Sequence, residues 1–280
     1  MDGDAELDQW LEHIKSLQRM SRGQCSEVPS RIAEWLYLGG HLGSDDSWQR
    51  WFQTDGRAVT HIVNCAAGEV RYPTPEHVSV LNLNAQDNAT YALFAHWPEV
   101  LAFVRSAPVV LFHCQAGVNR SASLALAAYA VRESKTLLAS VRDMLAERPG
   151  ILKNSHFNRS LVKCLRDEGL LGSAEDVEVL RHEVAAYEQQ VRLVFGLISQ
   201  DGHADWALFR QALRGVSEET GSAAEGLWER MAMYSDRPPM PGQSVPRNEA
   251  CVELWFRMDP EAQRLFPRLL FVASDARERP

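Results

Sequence analysis

The first twenty residues, MDGDAELDQWLEHIKSLQRM, lack both the basic start and the continuous apolar stretch of a secretory leader. No run anywhere in the chain approaches the roughly 18 apolar residues that a bilayer crossing requires. The expectation is a protein of the cytoplasm or the nucleus with no membrane partner. Cysteine is also scarce: Cys25, Cys65, Cys114, Cys164 and Cys251 are odd in number and contain no CxxC pair. That excludes a disulfide framework and a zinc site, leaving reduced thiols and no metal. Positive charge is short as well, with 29 Lys and Arg against 37 Asp and Glu, a net charge of -8. This is the wrong sign for tracking a nucleic-acid backbone, so no nucleic-acid partner is expected.

What is present divides unevenly. The 280 residues suit one domain plus an extension. An acidic, amphipathic segment covers 1–26, and a stretch from 27 to 173 carries 14 basic and 14 acidic side chains. Residues 174–280 carry 12 basic and 18 acidic ones. Within the middle stretch, RIAEWLYLGG reads as one extended segment ending in a glycine turn, and SDDSWQRWFQTDG as a short helix capped from Ser44, Asp45 or Asp46. VTHIVNCA, VSVLNLNA and VVLF read as buried strands. Helix-length segments fall at 89–106, after Arg120, from Leu137 to Glu147 behind Thr136, and from Ser155 to Glu168. Strands alternating with helices define an α/β class, a mostly parallel sheet flanked by helices. The last part reads as an all-α extension. It begins with a helix over 175–198 whose seam, Val177, Leu180, Val184, Tyr187, Val191, Val194 and Ile198, follows heptad spacing. That seam packs on its own chain, or serves a helical partner or self-association. Further helical stretches are expected around 205–214, 221–234 and 249–257, with a proline-rich loop at 236–246. The segment around Asp201 and Gly202 has the outline of an EF-hand, but it lacks the oxygen ligands and the final Glu that calcium needs.

Chemistry concentrates in HCQAGVNRSAS, residues 113–123. It follows the strand VVLF and precedes a helix, so residues 114–119 form a tight loop whose N–H groups lack helical partners. Such a loop is a cradle for an anion. Cys114 opens the cradle, where fixed dipoles and Arg120 favour the thiolate over the thiol. Gly117 permits a backbone approach that a Cβ would block. The planar fork of Arg120 holds two phosphate oxygens at once, and the Ser121 hydroxyl can donate to the sulfur. A thiolate beneath an anion cradle implies attack on phosphorus and a phosphocysteine that water later hydrolyses. No cofactor is needed.

HCQAGVNRS matches H-C-x-x-G-x-x-R-[ST], and the chain over roughly 27–172 resembles the dual-specificity members of the cysteine-dependent protein tyrosine phosphatases. LYLGG, VTHIVNCA, NAQD (84–87) and RPGILKNSHFNRSL (148–161) resemble further landmarks of that family in the same order. The resemblance implies Cys114 as nucleophile, with the loop from Gln115 through Ala116, Gly117, Val118 and Asn119 to Arg120 binding the phosphoryl group. It implies Asp87 as the acid that protonates the leaving group, Ser121 as an aid to thiolate departure, and His113 and Asn154 as supports of the loop. Cys65 and Cys164 read as small packing residues. Two departures stand out: Asn119, where kinase-directed relatives commonly carry serine, and Ser160, where they carry glutamine.

The resemblance implies a phosphorylated protein as substrate, protein kinases among the candidates, with phosphotyrosine and phosphoserine or phosphothreonine all admitted. The uncharged Gln115, Ala116, Val118 and Asn119 disfavour inositides. Gly-Val-Asn-Arg is similar to the G-x-N-R of RNA 5′-phosphatases, the alternative enzyme. An interaction protein with a vestigial site is the alternative of another class.

Overall fold

The computed structural model describes residues 2–21, 25–200 and 203–204. The chain forms two compact units, residues 1–178 and 179–280. The stretches expected at 205–214, 221–234, 236–246 and 249–257, the Asp201-Gly202 turn and Cys251 all lie outside the described residues.

The first unit is built on a five-stranded sheet in the order β1-β2-β5-β3-β4. The strands are β1 (Ser30–Ala33), β2 (Leu36–Gly39), β3 (His61–Asn64), β4 (Ser79–Asn82) and β5 (Val110–His113). β2, β5, β3 and β4 run parallel, and β1 pairs antiparallel with β2. RIAEWLYLGG is thus a hairpin and not one extended segment. It turns at Glu34 and Trp35, which carry no glycine or proline to announce a turn, and a register shift lies between Arg31 and Ala33.

Helices cover both faces. α1 (Asp2–Met20) packs on α5 (Leu137–Glu147) and α6 (Ser155–Asp167). It does so through Leu7, Trp10, Leu11, Ile14 and Leu17, which repeat at helical spacing and are all buried. Gln18 Nε2 adds donations to the carbonyls of Ile151 and Leu152 at 2.9 and 2.7 Å. α2 (Asp45–Gln53) starts where Ser44 accepts from the Ser47 N–H, and it buries Trp48, Trp51 and Phe52. These rings pack with Tyr37, Val59, Ile62, Val78 and Leu111 into one aromatic-rich core. The segment 89–106 is a 3₁₀ turn, Leu93–His96, followed by α3 (Trp97–Val104) with Pro98 in its first turn. Proline cannot donate to the preceding turn and is tolerated only there.

α4 (Arg120–Glu133) runs through the middle of the unit, with every residue from Arg120 to Ala130 buried. Its small residues, Ser121, Ala122, Ser123, Ala125, Ala127, Ala128 and Ala130, let it lie close to β5, β2, α5 and α6. α7 (Ala174–Ile198) follows, then a two-residue pair, β6 (Ser199–Gln200) with β7 (His203–Ala204). Leu180, Tyr187 and Val191 of the expected seam are buried, while Val179 beside it is exposed.

Candidate active site

The parallel strands β3, β4 and β5 all end at one edge of the sheet, the edge at which open α/β sheets collect their functional loops. The loop after β3 carries Glu69, the loop after β4 carries Asp87, and the loop after β5 runs from Cys114 to Asn119 before α4 begins. Parallel register alone therefore brings together residues distant in sequence.

The loop after β5 is pinned from several sides. Gln115 accepts from the His41 N–H at 2.9 Å. Arg148, itself buried, donates from Nε to the Gly117 carbonyl at 3.2 Å and from a terminal nitrogen to the Val28 carbonyl at 3.0 Å. Leu152 N–H donates to the Val118 carbonyl at 2.7 Å. Gly117 has φ of +68°, and a Cβ there would stand 2.3 Å from the Gly39 carbonyl carbon. The conformation and the crowding each demand glycine.

Cys114 is buried, with 1% of its surface exposed. Its sulfur accepts from the Gly117 N–H at 3.3 Å and from the Ser121 hydroxyl at 3.2 Å. Two donors are thus aimed at one sulfur. Arg120 is 4% exposed and held by Glu69 through paired bonds of 2.6 and 3.1 Å, and it also donates to the Ala85 carbonyl at 2.8 Å. Burial works against the guanidinium charge, but the Glu69 hydrogen bond and the nearby Cys114 and Asp87 more than offset it, so Arg120 titrates above the ordinary arginine range. The Arg120 hydrogen bond holds Glu69 below the usual carboxylate range. Arg120 Nε is buried without a hydrogen-bond partner. Asp87 Oδ2 lies 3.9 Å from it.

Asp87 is gripped by two amides. Asn119 Nδ2 donates to its oxygens at 3.3 and 3.1 Å, and Asn154 Nδ2 donates to Oδ1 at 3.0 Å. Asn154 also caps α6, its side-chain oxygen accepting from the His156 and Phe157 N–H groups. His113 is fully buried beneath the loop, its Nε2 2.6 Å from the Tyr72 hydroxyl. Tyr72 stacks on Trp48 with centroids 4.0 Å apart. Burial pushes the imidazole down to about 3, so it is neutral near pH 7 and serves as a packing and hydrogen-bonding group. Burial raises the Cys65 thiol well above its ordinary range and pushes Cys164 up to about 12, as expected of packing residues.

Every site residue expected from the sequence lies in or against this one loop cluster. Glu69, Tyr72 and Arg148 join it without having been singled out, because their contacts reach across the fold: Glu69 meets Arg120 from 51 positions away. A cavity of about 830 Å³ flanks the loop on the side of Gln115, Ala116 and Val118, with His41, Arg50 and Trp51 among its other walls. No cluster of metal-ligating side chains occurs among the described residues.

A thiol under an arginine-closed anion loop, with a carboxyl beside it, is the arrangement of a cysteine-dependent phosphatase. Residues 40–167 match the family model of the dual specificity phosphatase catalytic domain. Mouse dual specificity protein phosphatase 13B is 33% identical over 162 residues, which cover 53% of this chain and 79% of the relative. The chain belongs to the dual-specificity phosphatase family. A Slingshot homolog protein phosphatase of Xenopus laevis is 32% identical over 152 residues, 52% of this chain and only 21% of that protein. The crystal structure of human DUSP28 aligns over 52% of this chain and 99% of its own, at 24% identity and a TM-score of 0.45.

Proposed function

We propose that the chain is a phosphoprotein phosphatase that acts on phosphotyrosine and on phosphoserine or phosphothreonine through a phosphocysteine. The observation that carries this reading is the pair of donors on Cys114 Sγ together with the Nε of Arg120, which is buried and makes no hydrogen bond of its own. The loop N–H groups of residues 115–120 and Arg120 hold the phosphoryl oxygens. Cys114 Sγ attacks phosphorus in line; the S–P bond forms as the bond to the leaving oxygen breaks, and the proton on Asp87 passes to that oxygen. Water then attacks phosphorus, gives a proton to Asp87 and expels the thiolate, which the Ser121 hydroxyl steadies. His113 and Asn154 support the loop and the acid. Charge spreading over the equatorial oxygens is met by donors already in place, the largest contribution such a site makes.

A phosphoprotein fits better than RNA because the net charge is -8, and the flanking cavity has room for the residues beside a phosphorylated side chain. The cytoplasm or nucleus suits that substrate. No described helix is long and apolar enough to cross a membrane.

The test is turnover of a chromogenic aryl phosphate and of phosphotyrosine and phosphoserine peptides near pH 6. We expect turnover that vanadate blocks and that Cys114→Ser abolishes. An intact chain inert toward all three substrates would sink the reading, and RNA 5′-phosphate release without peptide turnover would replace it.

A further inference from the structure

Asn119 occupies the N-cap position of α4, yet its side chain makes no capping bond. An asparagine there ordinarily accepts an N–H from the first turn of its helix. Here the amide turns outward instead. Its oxygen accepts from the Lys153 and Asn154 N–H groups at 2.8 and 3.1 Å, while its nitrogen donates to both oxygens of Asp87. One side chain thereby joins the loop after β4, the loop after β5 and the segment that enters α6. The joint uses the chemistry of an amide at both ends, an acceptor with two lone pairs and a separate donor. A serine is shorter and has a single oxygen for both tasks, so it cannot bridge the same three segments.

Asn119 consequently ties the Asp87 carboxyl to the cradle. Asn119 and Asn154 hold it, and Oδ2 faces Arg120 Nε. We propose that Asn119 is a positioning residue that docks the Asp87 loop on the phosphate cradle and so fixes where the Asp87 carboxyl stands for proton transfer with the leaving oxygen. The inference rests on the phosphatase reading of this site. Its chemical consequence is a bias in substrate class. An activated phenoxide leaves with little help, whereas the alkoxide of a serine or threonine ester needs its proton as the P–O bond breaks. Firm docking of the acid therefore favours alkyl phosphates, the class to which phosphoserine and phosphothreonine belong. Turning the amide outward also leaves the first turn of α4 free of a side-chain cap, with its N–H groups available to the anion.

The test compares the intact chain with Asn119→Ser and Asn119→Ala on a nitro-activated aryl phosphate, on unsubstituted phenyl phosphate and on a phosphoserine peptide. We expect kcat/KM to fall by about 3-fold on the activated ester and by ~30-fold or more on the other two, a part of the roughly 100- to 10,000-fold that a general acid contributes. The ratio of rates on two esters is internal to each variant, so partial loss of folded protein cancels from it. In an Asp87→Ala background, adding Asn119→Ser should cost phenyl phosphate turnover nothing further, because the two changes disable one device. An equal loss on all three esters overturns the proposal, as does a full additional loss in the double variant. An intact chain without turnover on any ester sinks the phosphatase reading and this inference with it. That result differs from the two patterns that would sink the inference alone.

Discussion

His113 sits where burial decides its charge. A group neutral in the folded chain, with its titration pushed down to about 3, meets an ordinary histidine range near 6.5 once unfolded. Between those values the unfolded chain binds the extra proton, so stability rises with pH through that window and is lost as pH falls from about 6.5 toward 3. Urea unfolding at pH 7 and pH 5 should show a steeper acid-side loss for the intact chain than for His113→Gln. Equal slopes would mean that His113 does not drive the acid sensitivity. The neighbouring Tyr72 hydroxyl is pushed up by burial and stays protonated. The pair was half legible in the sequence: His113 stands beside Cys114, but Tyr72 reaches it across 41 positions by way of the sheet. The same holds for Glu69 on Arg120. Local spacing identified the residues that are neighbours along the chain, the family resemblance added Asp87 and Asn154, and the fold brought in Glu69 and Tyr72.

Elements with a clear apolar spacing were readable; a turn set only by packing was not. α5 runs from Leu137 to Glu147 as its apolar spacing implies, although Thr136 makes no side-chain cap bond. The β1–β2 hairpin was hidden because Glu34 and Trp35 are not turn formers. Trp35 is held instead by its indole N–H to Glu133 at 2.6 Å and by Arg132 over its ring. The amphipathic pattern of α1 was plain, but its docking place on α5 and α6 is a tertiary fact that periodicity does not carry. Ile14 in its middle is fully buried. Ile14→Ala should destabilise the first unit by about 2–4 kcal/mol through a lost transfer term and a residual cavity, read as a lower urea midpoint with an unchanged m value. A change below about 0.5 kcal/mol, the ordinary surface range, would mean that α1 is not anchored there.

For the molecule as a whole, charge is balanced in residues 27–173 and the excess of acid lies mainly beyond them. Leu180, Tyr187 and Val191 of α7 are already buried within a single chain. The intact protein should therefore sediment as a monomer at micromolar concentrations; a dimer dispersed by Tyr187→Ser would place the seam between chains instead. The glycines impose a different constraint on the same molecule. At Gly40 an added Cβ would stand 2.8 Å from the Ala116 backbone, and at Gly117 it would stand 2.3 Å from that of Gly39. At Gly43 and Gly169 it would meet nothing within 4 Å, and only the positive φ restricts them. Random sequence drift should therefore stop at the first pair and pass through the second wherever asparagine or aspartate arises, since those residues tolerate the left-handed region. The cradle sits in a narrow corridor of permitted sequence, bounded on one side by the bare backbone of Gly39 and Gly40 at the end of β2.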